Sequence, residues 1–138
     1  MNVILDECFQ FGLGAFETIG IEQGAPILLE KHLKRLERAA AFLNLGDLAE
    51  RGKIVKYLEE QKAQKEVTDE FGNLEHCGLK VMLTKENEVF SLRANHYTPE
   101  KYEKGFYMDI SEVKRNETSP LVYHKTMNYG DCILEKRN

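Results

Sequence analysis

Lys125 is the residue in this chain whose type and setting could support covalent chemistry. It stands between an apolar run at residues 121–123, which has strand character, and a run with helical character at residues 127–136. A corner between a strand and a helix holds a side chain out of the core on a fixed backbone, as a reactive group requires. A lysine is nucleophilic only as the free amine, which desolvation or neighbouring positive charge favours. On spacing alone, a solvated surface lysine is the commoner explanation.

The residues around Lys125 carry a further signal. They read His-Lys-Thr-Met-Asn-Tyr over positions 124–129, after a Ser-Pro-Leu turn at 119–121. This segment resembles the active-site segment of the class IV aminotransferases, the fold-type IV pyridoxal-phosphate enzymes. The resemblance implies pyridoxal 5'-phosphate as the cofactor and Lys125 as the catalytic residue that holds it as a Schiff base. After displacement by substrate, the same amine would act as the general base that moves the α-proton.

A second stretch resembles the same family. Residues 11–18 read Phe-Gly-Leu-Gly-Ala-Phe-Glu-Thr, and the family pattern is Phe-Gly-Asp-Gly-x-Phe-Glu-Thr, so Leu13 stands where aspartate is usual. Gly12 and Gly14 predict a tight backbone or the close approach of another element. The stretch is not a phosphate loop, because no Gly-Lys-Ser/Thr follows it and no helix opens after it.

Arg35 is the candidate ligand of the cofactor phosphate. Apolar residues at helical spacing predict a helix over residues 30–43, and Arg35 falls off their stripe, on a face with Arg38, Ala39 and Phe42. An arginine on that face of a helix is usually a solvated surface residue. The sequence His-Leu-Lys-Arg-Leu at 32–36, however, is similar to the family's His-x-x-Arg-Leu motif, which implies phosphate binding by the planar guanidinium of Arg35. Its charge would also favour the neutral amine on Lys125, and His32 is expected to pack or cap.

Arg93 is a candidate for substrate binding. It lies near the end of a predicted strand, where a guanidinium could meet a substrate carboxylate at a domain edge. A plain surface role is the alternative, because most arginines are solvated.

The remaining pattern predicts an α+β fold. A strand from residue 15, a turn at 23–26 and residues 27–29 form a hairpin, and strands at 77–84 and 89–95 form a second hairpin. Two helices lie between the hairpins, the second opening with a capping box at Asp47 and Glu50 and ending in a charged run at 59–66. Residues 67–76 are expected to form a loop or a frayed turn. Residues 1–104 would form this small N-terminal domain of antiparallel strands with two helices.

Residues 105–138 are expected to begin a second domain that carries the cofactor lysine. They predict one strand at 106–113, a turn at 114–118, the lysine segment and one helix. So short a stretch cannot bury a core of its own, so it must pack on the first domain, on a second subunit, or on chain that is missing here. The resemblance favours the last option, because it covers only the first half of the family's usual length. We therefore expect an incomplete fragment with an incomplete pocket.

Composition narrows the class of protein. The 138 residues carry a net charge of −4 with interleaved signs, which argues against a nucleic-acid binder. No apolar run is long enough to span a membrane, and an acidic residue stands where a signal peptide would be apolar, so we expect a cytoplasmic protein. The three cysteines and four histidines are scattered, so no metal site is expected.

Within the family, the sequence looks most like the bacterial 4-amino-4-deoxychorismate lyases, which release pyruvate to give 4-aminobenzoate for folate synthesis. The likeness lies in the short stretch ahead of Phe11 and in the run at 115–121 followed by His124 and Lys125. An aminotransferase acting on branched-chain or D-amino acids is the alternative. A non-catalytic dimerisation or binding module with an inert Lys125 is a further one. The family resemblance also implies a homodimer that binds a small-molecule substrate.

Overall fold

The computed structural model describes residues 2–46 and 50–137. Over these residues, four strands form one antiparallel sheet, with six α-helices around it. The helices are α1 (Glu7–Phe11), α2 (Leu29–Leu43), α3 (Arg51–Lys62), α4 (Lys65–Phe71), α5 (Pro99–Lys104) and α6 (Gly130–Glu135), and the strands are β1 (Ala15–Glu22), β2 (Ala25–Pro26), β3 (His76–Leu83) and β4 (Glu88–Ala94). This confirms the predicted α+β class.

The first hairpin turns at two residues with positive φ. Gln23 and Gly24 have φ angles of 50° and 72°, the backbone of a tight two-residue hairpin loop that matches the twist of the strands. The returning strand β2 is therefore Ala25–Pro26, earlier than the predicted residues 27–29. Leu28, also at positive φ, then turns the chain into α2.

The sheet has the order β2-β1-β3-β4 and two unlike faces. On β1, Ala15, Ile19 and Ile21 are buried, while Thr18 and Gly20 on the opposite face are exposed. The register pairs β1 with β3 and β3 with β4 so that β3 continues the same alternation. The sheet thus has a core face, covered by α2 and α3, and an open face, which carries Phe16, Thr18, Gly20, Gly78, Lys80, Met82, Ser91 and Arg93.

Helix α2 is the main cover of the core face. It buries Leu29, Leu36, Ala39 and Ala40, with Leu33 partly buried beside them, so the predicted apolar stripe is confirmed and widened by Ala39. Helix α3 adds Ile54 and Leu58 and ends at Lys62, so the charged run predicted at 59–66 is divided between α3 and α4. Residues 67–71, expected to form a loop or a frayed turn, are part of the helix α4. Of the predicted capping box, Asp47 lies outside the described residues, and Glu50 is itself the N-cap residue of α3, with no capping hydrogen bond from its side chain. No helix in the described ranges is long and apolar enough to cross a membrane.

The strand predicted over residues 106–113 is not formed. Residues 105–119 contain no helix or strand, and Tyr107, Met108 and Ile110 are almost fully exposed. An alternating pattern indicates which side chains would share a face, but a strand also requires a neighbouring strand edge for its backbone hydrogen bonds. No such edge lies beside this segment in the described part of the chain.

The elements on either side of Lys125 also differ from expectation. Residues 120–123 form a 3-10 turn rather than a strand, consistent with a proline at its start, which fixes φ and lacks an N–H. The following helix begins at Gly130, and the residues before it are held on β1 instead: Thr126 bridges Ala15, and Met127 donates its N–H to Gly14 O (2.7 Å). Lys125 therefore lies in a short stretch docked on the sheet rather than between a strand and a helix.

Candidate cofactor site

The backbone of Lys125 is fixed against the free edge of β1. Thr126 bridges Ala15 in antiparallel fashion, and the N–H of Phe16 donates to Lys125 O at 3.2 Å. The side chain of Thr126 is buried on the core side. Because side chains alternate along extended backbone, Lys125 points with Phe16 to the open face of the sheet.

A glycine corner ahead of β1 tightens this docking. A Cβ atom added at Gly14 would lie 2.6 Å from Cys8 Sγ and 3.1 Å from Met127 Sδ. The Asn128 side chain donates through Nδ2 to Gly12 O at 3.0 Å. The close approach predicted from the two glycines is therefore present, and the approaching elements include α1, through Cys8, and the lysine segment, through Met127 and Asn128.

The amine of Lys125 rests on aromatic rings. Its Nζ atom lies 4.5 Å from the ring centroid of Phe16 and 5.2 Å from that of Tyr129, and these two rings meet edge to face. Such cation–π contacts orient an amine without neutralising it. Among the described residues, Lys125 makes no ion pair, so the two rings orient its amine and no carboxylate neutralises it.

Two further cations share the open face with Lys125. Lys80 Nζ lies 4.8 Å from the Phe16 ring centroid, and Arg93 is on the adjacent strand β4. Burial first, and then the positive charges of Arg93 and Lys125, lower the pKa of Lys80 below its ordinary value. This face of the sheet is therefore electropositive around Lys125.

Arg35 is held by a buried carboxylate. Its Nε donates to Glu17 Oε1 at 2.5 Å and its Nη2 to Glu17 Oε2 at 2.6 Å, a two-point contact with one edge of the guanidinium. His32 Nδ1 lies 2.7 Å from the same Oε2. Burial by itself would raise the pKa of Glu17, but the hydrogen bonds and charges of Arg35 and His32 outweigh it and lower that pKa.

Arg35 and Lys125 line the same cavity. It has a volume of about 120 Å³ and is lined by Arg35, Arg38, Tyr123, His124 and Lys125. The ring of His124 stacks on Phe42 of α2, with centroids 4.1 Å apart and planes 9° apart, which ties the lysine segment to the helix. The structure thus brings together the two residues singled out from separate motifs. Their roles in cofactor binding stay predictions.

The lining of this cavity fits the phosphate of pyridoxal phosphate. Three of its five residues are cationic and none is acidic. Neither Arg38 nor Lys125 forms an ion pair within the described residues, and Glu17 engages only Nε and Nη2 of Arg35, so Nη1 is not used in that pair. Cationic donors without a carboxylate partner are the chemistry that a dianion requires.

Arg93 lies in a different place. It lines a groove of about 750 Å³ on the open face, together with Lys136 and residues of β1 and β3. The floor of this groove includes the cross-strand pair Gly20 and Gly78, and a Cβ at Gly20 would meet nothing within 4 Å. The groove is open, broad and cationic at its edge. Whether Arg93 binds substrate stays a prediction.

Several residues of the site were not predicted from the sequence. Glu17 left a readable signal, because β1 alternates and a charge at a core position between Ala15 and Ile19 requires a buried partner. No sequence signal indicated Lys80 or Phe16, because their contacts with Lys125 depend on strand register. In the part of the chain that the structure describes, no three His, Cys, Asp or Glu side chains are grouped to hold a metal.

Comparison with known proteins identifies the family. Residues 14–138 match the family described as amino-transferase class IV. The chain belongs to the class IV aminotransferase family. Members of this family are pyridoxal-phosphate-dependent enzymes, both aminotransferases and lyases.

Three of the proteins to which this chain is similar are described as aminodeoxychorismate lyases. The chain is 33% identical over 64 residues to the aminodeoxychorismate lyase of Bacillus subtilis (strain 168), an alignment that covers 46% of this chain and 22% of that protein. The fold is similar to a provisionally assigned 4-amino-4-deoxychorismate lyase, with a TM-score of 0.76 and 24% identity over 99% of this chain. It is also similar to the 4-amino-4-deoxychorismate lyase of Pseudomonas aeruginosa, with a TM-score of 0.70 and 21% identity over the whole chain.

The match in length is partial. The chain spans 54% and 53% of the two solved structures. Within that span, the likeness establishes the fold of the N-terminal part of these enzymes.

Proposed function

We propose that this chain is the N-terminal, lysine-bearing part of a pyridoxal-phosphate-dependent lyase that converts 4-amino-4-deoxychorismate into 4-aminobenzoate and pyruvate. The observation that carries the proposal is the cavity in which Lys125 lies beside Arg35 and Arg38 with no carboxylate. The similarity to the aminodeoxychorismate lyase of Bacillus subtilis supports the choice of reaction.

In this proposal, the chain's own residues bind and orient the cofactor. Arg35 and Arg38 would hold the phosphate, and the amine of Lys125 would hold the aldehyde carbon covalently, with loss of water. The rings of Phe16 and Tyr129 direct that amine. When bound, pyridoxal phosphate supplies an electron sink for negative charge at the substrate α-carbon.

The open face of the sheet is proposed as the substrate side. The proposed substrate carries two carboxylates, and Lys80 and Arg93 present positive charge on the face to which Lys125 points. The Lys125 amine, once displaced, would take the proton from the ring carbon that bears the amino group. The enol-ether bond at the neighbouring ring carbon would then break, which makes the ring aromatic. The released enolpyruvate would gain a proton to become pyruvate, and 4-aminobenzoate would leave as Lys125 returns to its place.

The aminotransferase activity that names the family is the second candidate, because the same lysine and phosphate site would serve it. A homodimer in the cytoplasm is part of the proposal as well. A non-catalytic module is the outcome if no cofactor binds.

Cofactor trapping tests the proposal. The protein expressed from its full gene is purified, mixed with pyridoxal phosphate and treated with borohydride, and the modified residue is found by mass spectrometry. We expect an adduct on Lys125 that is lost in Lys125→Ala and kept in Lys34→Ala, an exposed lysine of α2. Absence of any adduct on Lys125 in the unsubstituted protein would show that the catalytic assignment is wrong.

The reaction is tested separately. We expect 4-aminobenzoate and pyruvate from aminodeoxychorismate without any keto-acid acceptor. Amino transfer that depends on a keto acid, with no release of 4-aminobenzoate, would instead establish the aminotransferase.

A further inference from the structure

Glu17 is a fully buried carboxylate behind Arg35, and it does not line the cavity itself. Its side chain is 0% exposed, and it stands on the core face of β1 between Ala15 and Ile19. Its two oxygens accept from Arg35 and meet His32, all at 2.5 to 2.7 Å. Every acceptor oxygen of this carboxylate is therefore directed to the histidine and arginine of one helix.

Stability alone does not require this arrangement. A buried ion pair loses hydration on both sides, and a well-packed apolar side chain at such a position is often as stable or more so. The neighbouring core positions of β1 are filled in that apolar way. Unlike a leucine, a carboxylate at this position can fix the orientation of a hydrogen-bonding partner.

The direction that it fixes is that of the Arg35 guanidinium. An arginine side chain has many rotamers, and that of Arg35 is 48% exposed, so burial does not hold it in place. The two-point contact through Nε and Nη2 fixes both the plane of the group and the edge that faces the protein. Nη1 remains as the donor not used by Glu17, and Arg35 lines the cavity beside Lys125.

We propose that Glu17 is the positioning residue of the phosphate site, acting through Arg35 rather than by touching the cofactor. The inference rests on the proposed function, in which Arg35 binds the phosphate. A preorganised donor binds without first losing its rotamer freedom, so Glu17 raises affinity for the phosphate group specifically. His32 supports it through the contact of its Nδ1 with Oε2 at 2.7 Å.

The test compares pyridoxal phosphate with pyridoxal, which lacks the phosphate. In the protein expressed from its full gene, Glu17→Gln keeps the size of the side chain but replaces one acceptor oxygen by a donor, which breaks the two-point contact. We expect affinity for pyridoxal phosphate to fall about 10- to 100-fold, the effect of one charge-assisted hydrogen bond. Affinity for pyridoxal should change little.

Glu22→Gln is the matched control. Glu22 lies on the same strand and also contacts a histidine, His76 at 2.6 Å, but it lies outside the cavity. We expect this variant to keep the full preference for the phosphorylated form. In Arg35→Ala, the further substitution of Glu17 by Gln should add almost nothing to the loss, because Glu17 acts through Arg35.

Glu17→Asp covers the case in which Glu17→Gln does not fold. It keeps the charge but is one methylene shorter, so it reaches one nitrogen of Arg35 rather than two. A folded variant of either kind that keeps the unsubstituted preference for the phosphorylated form would overturn the inference, as would equal losses for both ligands. Failure of the cofactor site that the proposed function requires would look different, because the unsubstituted protein would then bind neither form. An aminotransferase in place of the lyase would bind both forms and leave this inference unaffected.

Discussion

Glu17 occupies a position on β1 where the alternation of the strand leads one to expect an apolar side chain. The structure shows why it is tolerated, since Arg35 and His32 satisfy both oxygens. The net effect of burial and these partners is a lowered pKa for Glu17. A group whose pKa is lower in the folded state stabilises the fold above its unfolded pKa, and that stabilisation is lost as pH falls through the folded pKa.

Glu17→Gln is therefore expected to change the pH dependence of stability. The free energy of unfolding of the unsubstituted protein should decline as pH drops below the ordinary glutamate pKa of 4.5, partly because Glu17 must be protonated. The variant should be less stable near neutral pH and should show a shallower decline. Urea denaturation followed by circular dichroism, from about pH 6 to about pH 3, measures both.

Leu36→Ala is the control for destabilisation as such. Leu36 is buried in the core, and its truncation should cost about 2–5 kcal/mol without removing a titratable group. It should lower stability at every pH and keep the shape of the pH profile. An equally shallow decline in Leu36→Ala would contradict the assignment of the profile to Glu17.

At the scale of elements, the edge of β1 and the glycine corner before it determine where Lys125 lies. The lysine segment is held by backbone bonds to Gly14 and Phe16 and by the Asn128 side chain on Gly12. None of these contacts involves the Lys125 side chain. The backbone is therefore fixed while the amine keeps its own hydrogen-bonding groups free of these contacts. The position of the lysine segment thus depends on residues more than 100 positions earlier in the chain, as the bond between Asn128 and Gly12 shows.

Gly14→Ala should disturb this docking. The added methyl group would lie 2.6 Å from Cys8 Sγ and 3.2 Å from the carbonyl oxygen of Leu83, which cannot move away without distorting β3. We expect a loss of about 1–3 kcal/mol in unfolding free energy, as for overpacking, and less borohydride-trapped cofactor on Lys125. Thermal and urea unfolding, with the trapping yield, measure these effects.

Gly20→Ala provides the comparison on the same strand. A methyl group there meets nothing within 4 Å, so stability should be unchanged or slightly higher. A loss of stability in Gly20→Ala equal to that in Gly14→Ala would show that strand propensity, not the close approach, is responsible.

At the scale of the whole molecule, the described fold leaves an apolar segment without a partner. Tyr107, Met108 and Ile110 are each more than 90% exposed. Exposed apolar clusters of this kind mark surfaces that another part of a protein or another molecule covers. Domain organisation and a homodimer stay predictions, and both would provide such a cover.

Serine at these three positions should reduce surface hydrophobicity without affecting the fold. The 138-residue chain is expected to bind the dye anilinonaphthalene sulfonate, and Tyr107→Ser/Met108→Ser/Ile110→Ser to bind it less. The midpoint of thermal unfolding should stay unchanged, because these side chains bury almost no surface. A large drop in that midpoint would show that the segment packs against the rest of the chain.

Much of the N-terminal fold was determined by local sequence pattern. The turn at Gln23 and Gly24, the alternation of β1 and the stripe of α2 follow from steric and hydrophobic rules that act over a few residues. The motifs containing Arg35 and Lys125 identified the family in the same local way. These signals could be read because each is complete within one element.

Tertiary structure decided what depends on contact between distant segments. The pattern at residues 106–113 did not produce a strand, because alternation cannot supply a hydrogen-bonding neighbour. The predicted helix from residue 127 begins only at Gly130, and the residues ahead of it bond to Gly14 and Ala15 instead. In the same way, only the folded chain brought Arg35 and Lys125 to one cavity and placed Glu17 behind the arginine, since backbone pairing and burial join residues that no sequence spacing relates.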